Sequence, residues 1–107
     1  LSKQQQDITA VIYDKRGRVL SIGKNSYVKT HPLQLKYSNL AGDDYSAKGY
    51  AFIHAELQAI IRCADLTKAK RISVFRVRRD GSYGISKPCK ACQIAIEAAG
   101  IKFVEHT

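Results

Sequence analysis

The sequence predicts an α/β fold, a mixed β-sheet with two helices packed against it, and three observations carry that prediction. Strand-like and helix-like patterns follow one another in the order strand, strand, helix, strand, helix, strand, which suits a hairpin and helix-linked parallel strands sharing one sheet through right-handed crossovers. With 107 residues the chain fits one domain over residues 1–107, because single cores commonly occur at about 100 to 150 residues. Both helical patterns also open on residue types that bind metals, so the fold brings distant positions together at neighbouring helix starts.

Residues 8–14 are rich in strand formers, and residues 18–23 repeat that character after Asp14-Lys15-Arg16-Gly17, so the two read as a hairpin with Gly17 supplying the permissive turn. Residues 24–52 have weak periodicity and contain Pro32, Gly42, Asp43, Asp44 and Gly49, a long connection for so small a domain. Residues 32–37 fit a short helix within it, since proline is tolerated in a first turn. From Ile53 the pattern changes: Ile53, Leu57, Ile60, Ile61 and Ala64 recur at spacings of three and four, one apolar helix face with His54 and Glu56 in its first turn. Residues 71–79 return to strand character and residues 80–84 form the following loop. A second helix is expected from about Pro88 through Cys92, Ala95, Ile96 and Ala99, stopped by Gly100, and residues 101–105 read as a final strand.

Hydrophobic residues make up 45% and charged residues 25% of the chain, a balance that argues against disorder and against a membrane protein. No apolar run approaches the roughly 20 residues that span a bilayer, and the polar first residues do not resemble a signal peptide, so the expected setting is cytoplasmic. Lysine and arginine outnumber acids 18 to 9, a formal charge of +9, which favours polyanions or phosphorylated small molecules and equally fits a solvated basic surface. Of three cysteines, Cys63 lies among Ile60, Ile61 and Ala64 and reads as a buried small hydrophobe.

The other two cysteines stand three residues apart, so on a helix Cys89 and Cys92 share a face, and a helix start favours their thiolate form. Soft thiolates select zinc, His54 supplies a third ligand, and three protein ligands leave one tetrahedral position for water. Zinc lowers the pKa of such a water to about 7. Glu56, two residues beyond His54, need not be a ligand and can point toward the open position, where a carboxylate moves protons between water, a ring nitrogen and a departing amine.

His54-Ala55-Glu56 followed by Pro88-Cys89-Lys90-Ala91-Cys92 resembles the zinc-deaminase signature, histidine-x-glutamate and then proline-cysteine-x-x-cysteine. The resemblance, reaching from residue 8 to about 105, implies the cytidine deaminase-like three-layer fold and hydrolytic deamination at the amine-bearing ring carbon of cytosine or adenine. It implies zinc on His54, Cys89 and Cys92, Glu56 as proton shuttle, and substrate contacts from Asn25, Ala55 and Pro88. No helix pattern precedes the first strand and one strand follows the second helix, which marks a minimal-size member whose sheet edge is expected to need a partner surface, such as a second copy.

Substrate identity stays open at this point. Lys24, Lys29, Lys36, Lys87 and Lys90 with Tyr27, Tyr37, Tyr45, Tyr50 and Phe52 suit single-stranded DNA or RNA. The same lysines or His31 suit the phosphate of a free cytidine or deoxycytidine nucleotide. Lys68, Lys70, Arg71, Arg76, Arg78 and Arg79 track a phosphate backbone if one face of their strand is exposed, and are otherwise simply solvated. Adenine in RNA, a non-catalytic nucleic-acid-binding module, and a structural zinc closed by His106 are the alternatives; the last two leave Glu56 without a role. Conversion of cytosine to uracil is the expected reaction.

Overall fold

The computed structural model describes residues 7–26, 28–42, 52–77, 83–84 and 88–106. The hairpin forms as expected: β1 (Asp7–Tyr13) pairs antiparallel with β2 (Val19–Lys24). The Asp14 carboxylate closes the turn by accepting the backbone N–H groups of Arg16 and Arg18 and the Arg18 Nε, each at 2.9 Å. Gly17 takes φ +82°, the left-handed backbone that costs other residues about 1–2 kcal/mol.

Beyond the hairpin, α1 (Pro32–Leu40) and α2 (Ala55–Arg62) precede β3 (Arg71–Val77), the short β4 (Tyr83–Gly84), α3 (Lys90–Ala98) and β5 (Phe103–His106). The strands make one mixed sheet in the order β2-β1-β3, with β1 and β3 antiparallel. The far edge of β3 is shared: β5 pairs parallel with residues 71–74, and β4 pairs antiparallel with Arg76 and Val77. The predicted α/β class with its mixed sheet and packed motif helices is the observed one. Arg78 and Arg79, expected to extend the strand, lie outside the described residues, as do Tyr27, Tyr45, Tyr50 and Lys87.

Strand alternation explains the core. Ala10 and Ile12 of β1 and Ile72 and Val74 of β3, all at most 1% exposed, meet Ala55, Ala59 and Cys63 of the α2 segment and Ile96 of α3. Cys63 is thus the buried hydrophobe its setting implied. At Gly23 any Cβ would collide with the backbone of Ala55 and Ala59, so a glycine in β2 lets α2 lie directly on the strand. Ser21 Oγ adds a hydrogen bond to the Ala59 carbonyl there. A second cluster of Ile53, Leu57 and Ala95, with Tyr37 against it, joins α1, α2 and α3.

The element ends follow local chemistry. α3 stops where Gly100 was expected to stop it: Gly100, at φ +79°, donates to the Glu97 carbonyl at 3.0 Å, and Ile101 donates to the Ile96 carbonyl at 3.3 Å. This is the paired Schellman pattern, with Ile96 and Ile101 in the same buried apolar cluster. α1 runs three residues beyond the expected end at 37. His31 is its N-cap, with Nδ1 accepting the Leu33 N–H at 3.1 Å. A single 3₁₀ turn, Leu66–Lys68, capped by Asp65, was not foreseen. No helix among the described residues is long and apolar enough to cross a membrane.

Candidate metal centre and active site

α2 runs antiparallel to β2, and α3 returns the chain to begin β5 parallel to β3. Both helices therefore start at the same end of the sheet, where β2 finishes and β1 begins. His54 and Cys89 do not fall inside the first helical turns as the periodicity suggested. Each is an N-cap, with extended backbone at φ −88°, ψ 159° and φ −69°, ψ 169°. The cap residue of a helix is half outside it by construction, so a hydrophobic pattern alone places such residues within the helix.

The three expected ligands converge. His54 Nδ1 stands 3.3 Å from Cys92 Sγ and 3.5 Å from Cys89 Sγ, and the three ligand atoms all lie within 4.8 Å of one another. Zinc bonds of about 2.3 Å to sulfur and 2.0–2.1 Å to nitrogen, set at a tetrahedral angle, require N···S separations of about 3.6 Å. One nitrogen and two sulfurs at these distances fit zinc by spacing and donor type, and the atom facing the sulfurs is Nδ1. His106 pairs with Val74 through its backbone in β5; its side chain lies outside the described residues.

The electrostatics suit a cation. Hydrogen bonding from the Cys92 side chain is the largest influence on Cys89, and with His54 beside it the Cys89 thiol is held down to about 4 although burial opposes this. Cys92, 1% exposed, is pushed up, because its hydrogen bond to Cys89 and its burial both keep the proton on. In the metal-free pair the hydrogen bond between the two sulfurs favours the proton on Cys92 and the thiolate on Cys89. Glu56 is 5% exposed, and burial raises its pKa above the usual carboxylate range.

The expected substrate contacts lie around the same helix starts. Asn25 follows the end of β2; its Oδ1 accepts the Ile8 N–H at 3.0 Å and its own N–H donates to the Ile8 carbonyl at 3.2 Å. The Ala55 and Pro88 side chains are buried, so their main chain is what each offers. The Pro88 carbonyl already accepts from Gln93 Nε2 at 2.9 Å. His31, considered for phosphate, caps α1 through its Nδ1. Arg71 lies over the Tyr13 ring at 4.4 Å and 3.4 Å from Glu105 Oε1, so it is engaged on its own sheet.

Sequence reasoning missed Gln34. It is fully buried in α1, and its Oε1 accepts the His54 backbone N–H at 3.0 Å. A glutamine and a serine four residues apart in a stretch of weak periodicity, Gln34 and Ser38, were the available signal.

No curated protein shows a significant match to this chain. The profile of one family, described as "Cytidine and deoxycytidylate deaminase zinc-binding region", matches residues 2–106, a span that contains both helix starts and the sheet beneath them. Zinc is the metal of that region, the nitrogen and two sulfurs gathered here are its candidate site, and the family implies a cytidine-type substrate. The chain belongs to this deaminase zinc-binding family.

Proposed function

We propose that this protein is a cytoplasmic, zinc-dependent hydrolytic deaminase that converts cytosine to uracil, with single-stranded nucleic acid as the substrate class. The observation that carries the reading is a buried carboxylate, Glu56, two residues from a histidine whose Nδ1 faces two sulfurs at 3.3 and 3.5 Å. Bound there, zinc supplies the acidity that brings water within reach of deprotonation near neutral pH.

The proton movements fall to Glu56. Its carboxylate takes a proton from the attacking water, delivers it to the ring nitrogen beside the amine-bearing carbon, and carries the second proton to the departing amine. Water enters and ammonia leaves, so the exchange balances. Burial of Glu56 supports this role, because a raised pKa moves a carboxylate toward the range in which it both accepts and returns a proton. Asn25 and the main chain of Ala55 and Pro88 are the groups that hold the base.

Charge supports a polynucleotide. Lys24, Lys29, Lys36 and Lys90 are all exposed and belong to the segments that build the site. A groove of about 520 Å³ runs from Pro88 along α3 and β5, with Lys90 and Lys102 on its walls beside Glu97. The test is to incubate purified zinc-loaded protein with single-stranded DNA, single-stranded RNA, cytidine, deoxycytidine and their monophosphates and to follow uracil formation. Oligonucleotide turnover supports the reading, turnover of monomers alone removes its substrate class, and inosine-type products from adenine substrates remove its base. The variant Glu56→Ala is expected to retain zinc and to lose deamination by several orders of magnitude.

A further inference from the structure

Two side chains can close the N-terminus of a helix: the N-cap residue accepts the N–H of the second or third helical residue, and the third residue accepts the N–H of the cap. α2 has neither. Its cap, His54, makes no capping hydrogen bond with its side chain, since Nδ1 faces the two sulfurs. Its third residue is Leu57, 2% exposed and part of the apolar cluster with Ile53 and Ala95. The contrast with α1 is direct, because there the cap is also a histidine, His31, and its Nδ1 does the capping.

Gln34 fills the gap from another helix. Its Oε1 accepts the His54 backbone N–H at 3.0 Å, and its Nε2 donates to Ser38 Oγ at 3.2 Å. Only the oxygen can accept from a backbone N–H, so these two bonds fix the orientation of the amide. Gln34 is 0% and Ser38 2% exposed. A buried amide costs free energy unless its polar atoms are paired, and a leucine of similar size would pack there without needing partners.

We infer that Gln34 is a positioning residue for the metal centre, supplying from α1 the hydrogen bond to the His54 N–H that a glutamate or glutamine at position 57 would give within α2, and so fixing the backbone of the residue whose imidazole faces the two sulfurs. The inference rests on the metal-site reading of His54, Cys89 and Cys92. It also gives α1 a function: the helix in the long connection after β2 holds the backbone that carries one ligand.

Zinc affinity of the 107-residue chain, measured by chelator competition without reference to turnover, tests it. Gln34→Leu keeps the volume and removes the acceptor, and is expected to weaken zinc binding about tenfold or more, in the range found when outer partners of metal ligands are lost. Gln34→Glu keeps an acceptor for His54 and for the Ser38 hydroxyl, and is expected to restore affinity to within a few-fold of the parent. Ser38→Ala leaves Oε1 in place but frees the amide to rotate, and is expected to fall between the two.

Exchange of the His54 amide hydrogen in the metal-free proteins gives a second readout, faster in Gln34→Leu than in Gln34→Glu. If Gln34→Leu does not fold, Ser38→Ala against Gln34→Glu decides, with equal zinc affinity and equal His54 exchange overturning the inference. Unchanged zinc affinity in folded Gln34→Leu overturns it while leaving the metal site standing. A parent protein that binds no zinc overturns the metal-site reading and this inference together.

Discussion

Glu56 and Asp14 are carboxylates displaced in opposite directions, so they answer pH with opposite signs. Burial raises Glu56 in the folded chain, so its contribution to stability is present below the unfolded value and is lost as pH rises through the folded one. In metal-free protein, Glu56→Gln is therefore expected to melt above the parent at pH 7.5, with the margin narrowing by about pH 4.5; equal melting temperatures at both would show that the carboxylate carries no desolvation cost. Asp14 is lowered, chiefly by the Arg18 backbone N–H, so its contribution is present above the unfolded value and fades as pH falls through the folded one. Asp14→Ala is expected to lower the melting temperature at pH 7, and the difference from the parent should vanish in strong acid. At this scale the candidate metal ligands were legible because a histidine and two cysteines at those spacings suit few other chemistries. Gln34 was not, since what a glutamine does depends on which N–H it meets in space, and that partner lies 20 residues away.

Among the elements, the hairpin, both motif helices, the stop at Gly100 and the last strand were readable because period and turn chemistry are local properties. Two things were not. The caps His54 and Cys89 were drawn into their helices, since their extended backbone follows from the metal-facing role of the side chains rather than from hydropathy. The length of α1 was hidden by the burial of Gln34 and Ser38, polar residues that erase the apolar stripe by which a helix is recognised. The contact of α2 with β2 carries its own prediction. Gly23→Ala places a methyl against the backbone of Ala55 and Ala59, which is expected to cost about 1–3 kcal/mol and, by shifting the start of α2, to weaken zinc binding as well. Denaturant unfolding and chelator titration of that one variant check both halves, and a loss of stability with unchanged affinity would separate the contact from the site.

For the molecule as a whole, an excess of nine positive charges makes binding to a single-stranded polyanion sensitive to salt, and Lys102 on the groove wall is a place to measure it. If Lys102 neutralises one phosphate, Lys102→Glu should flatten the log–log dependence of oligonucleotide binding on salt by about 0.7 while leaving turnover of a mononucleotide unchanged. The strand of basic residues was less informative than its composition suggested, because alternation sends Arg71 and Arg76 to opposite faces and Arg71 is held by Tyr13 and Glu105. The central cluster of Ala10, Ile12, Ala55, Ala59, Ile72, Val74 and Ile96 includes none of the three ligand side chains. The central packing and the candidate ligands thus rest on different side chains. Chelation is therefore expected to leave the far-ultraviolet circular dichroism nearly unchanged and the melt cooperative, so that zinc could leave and return without the chain passing through its unfolded state.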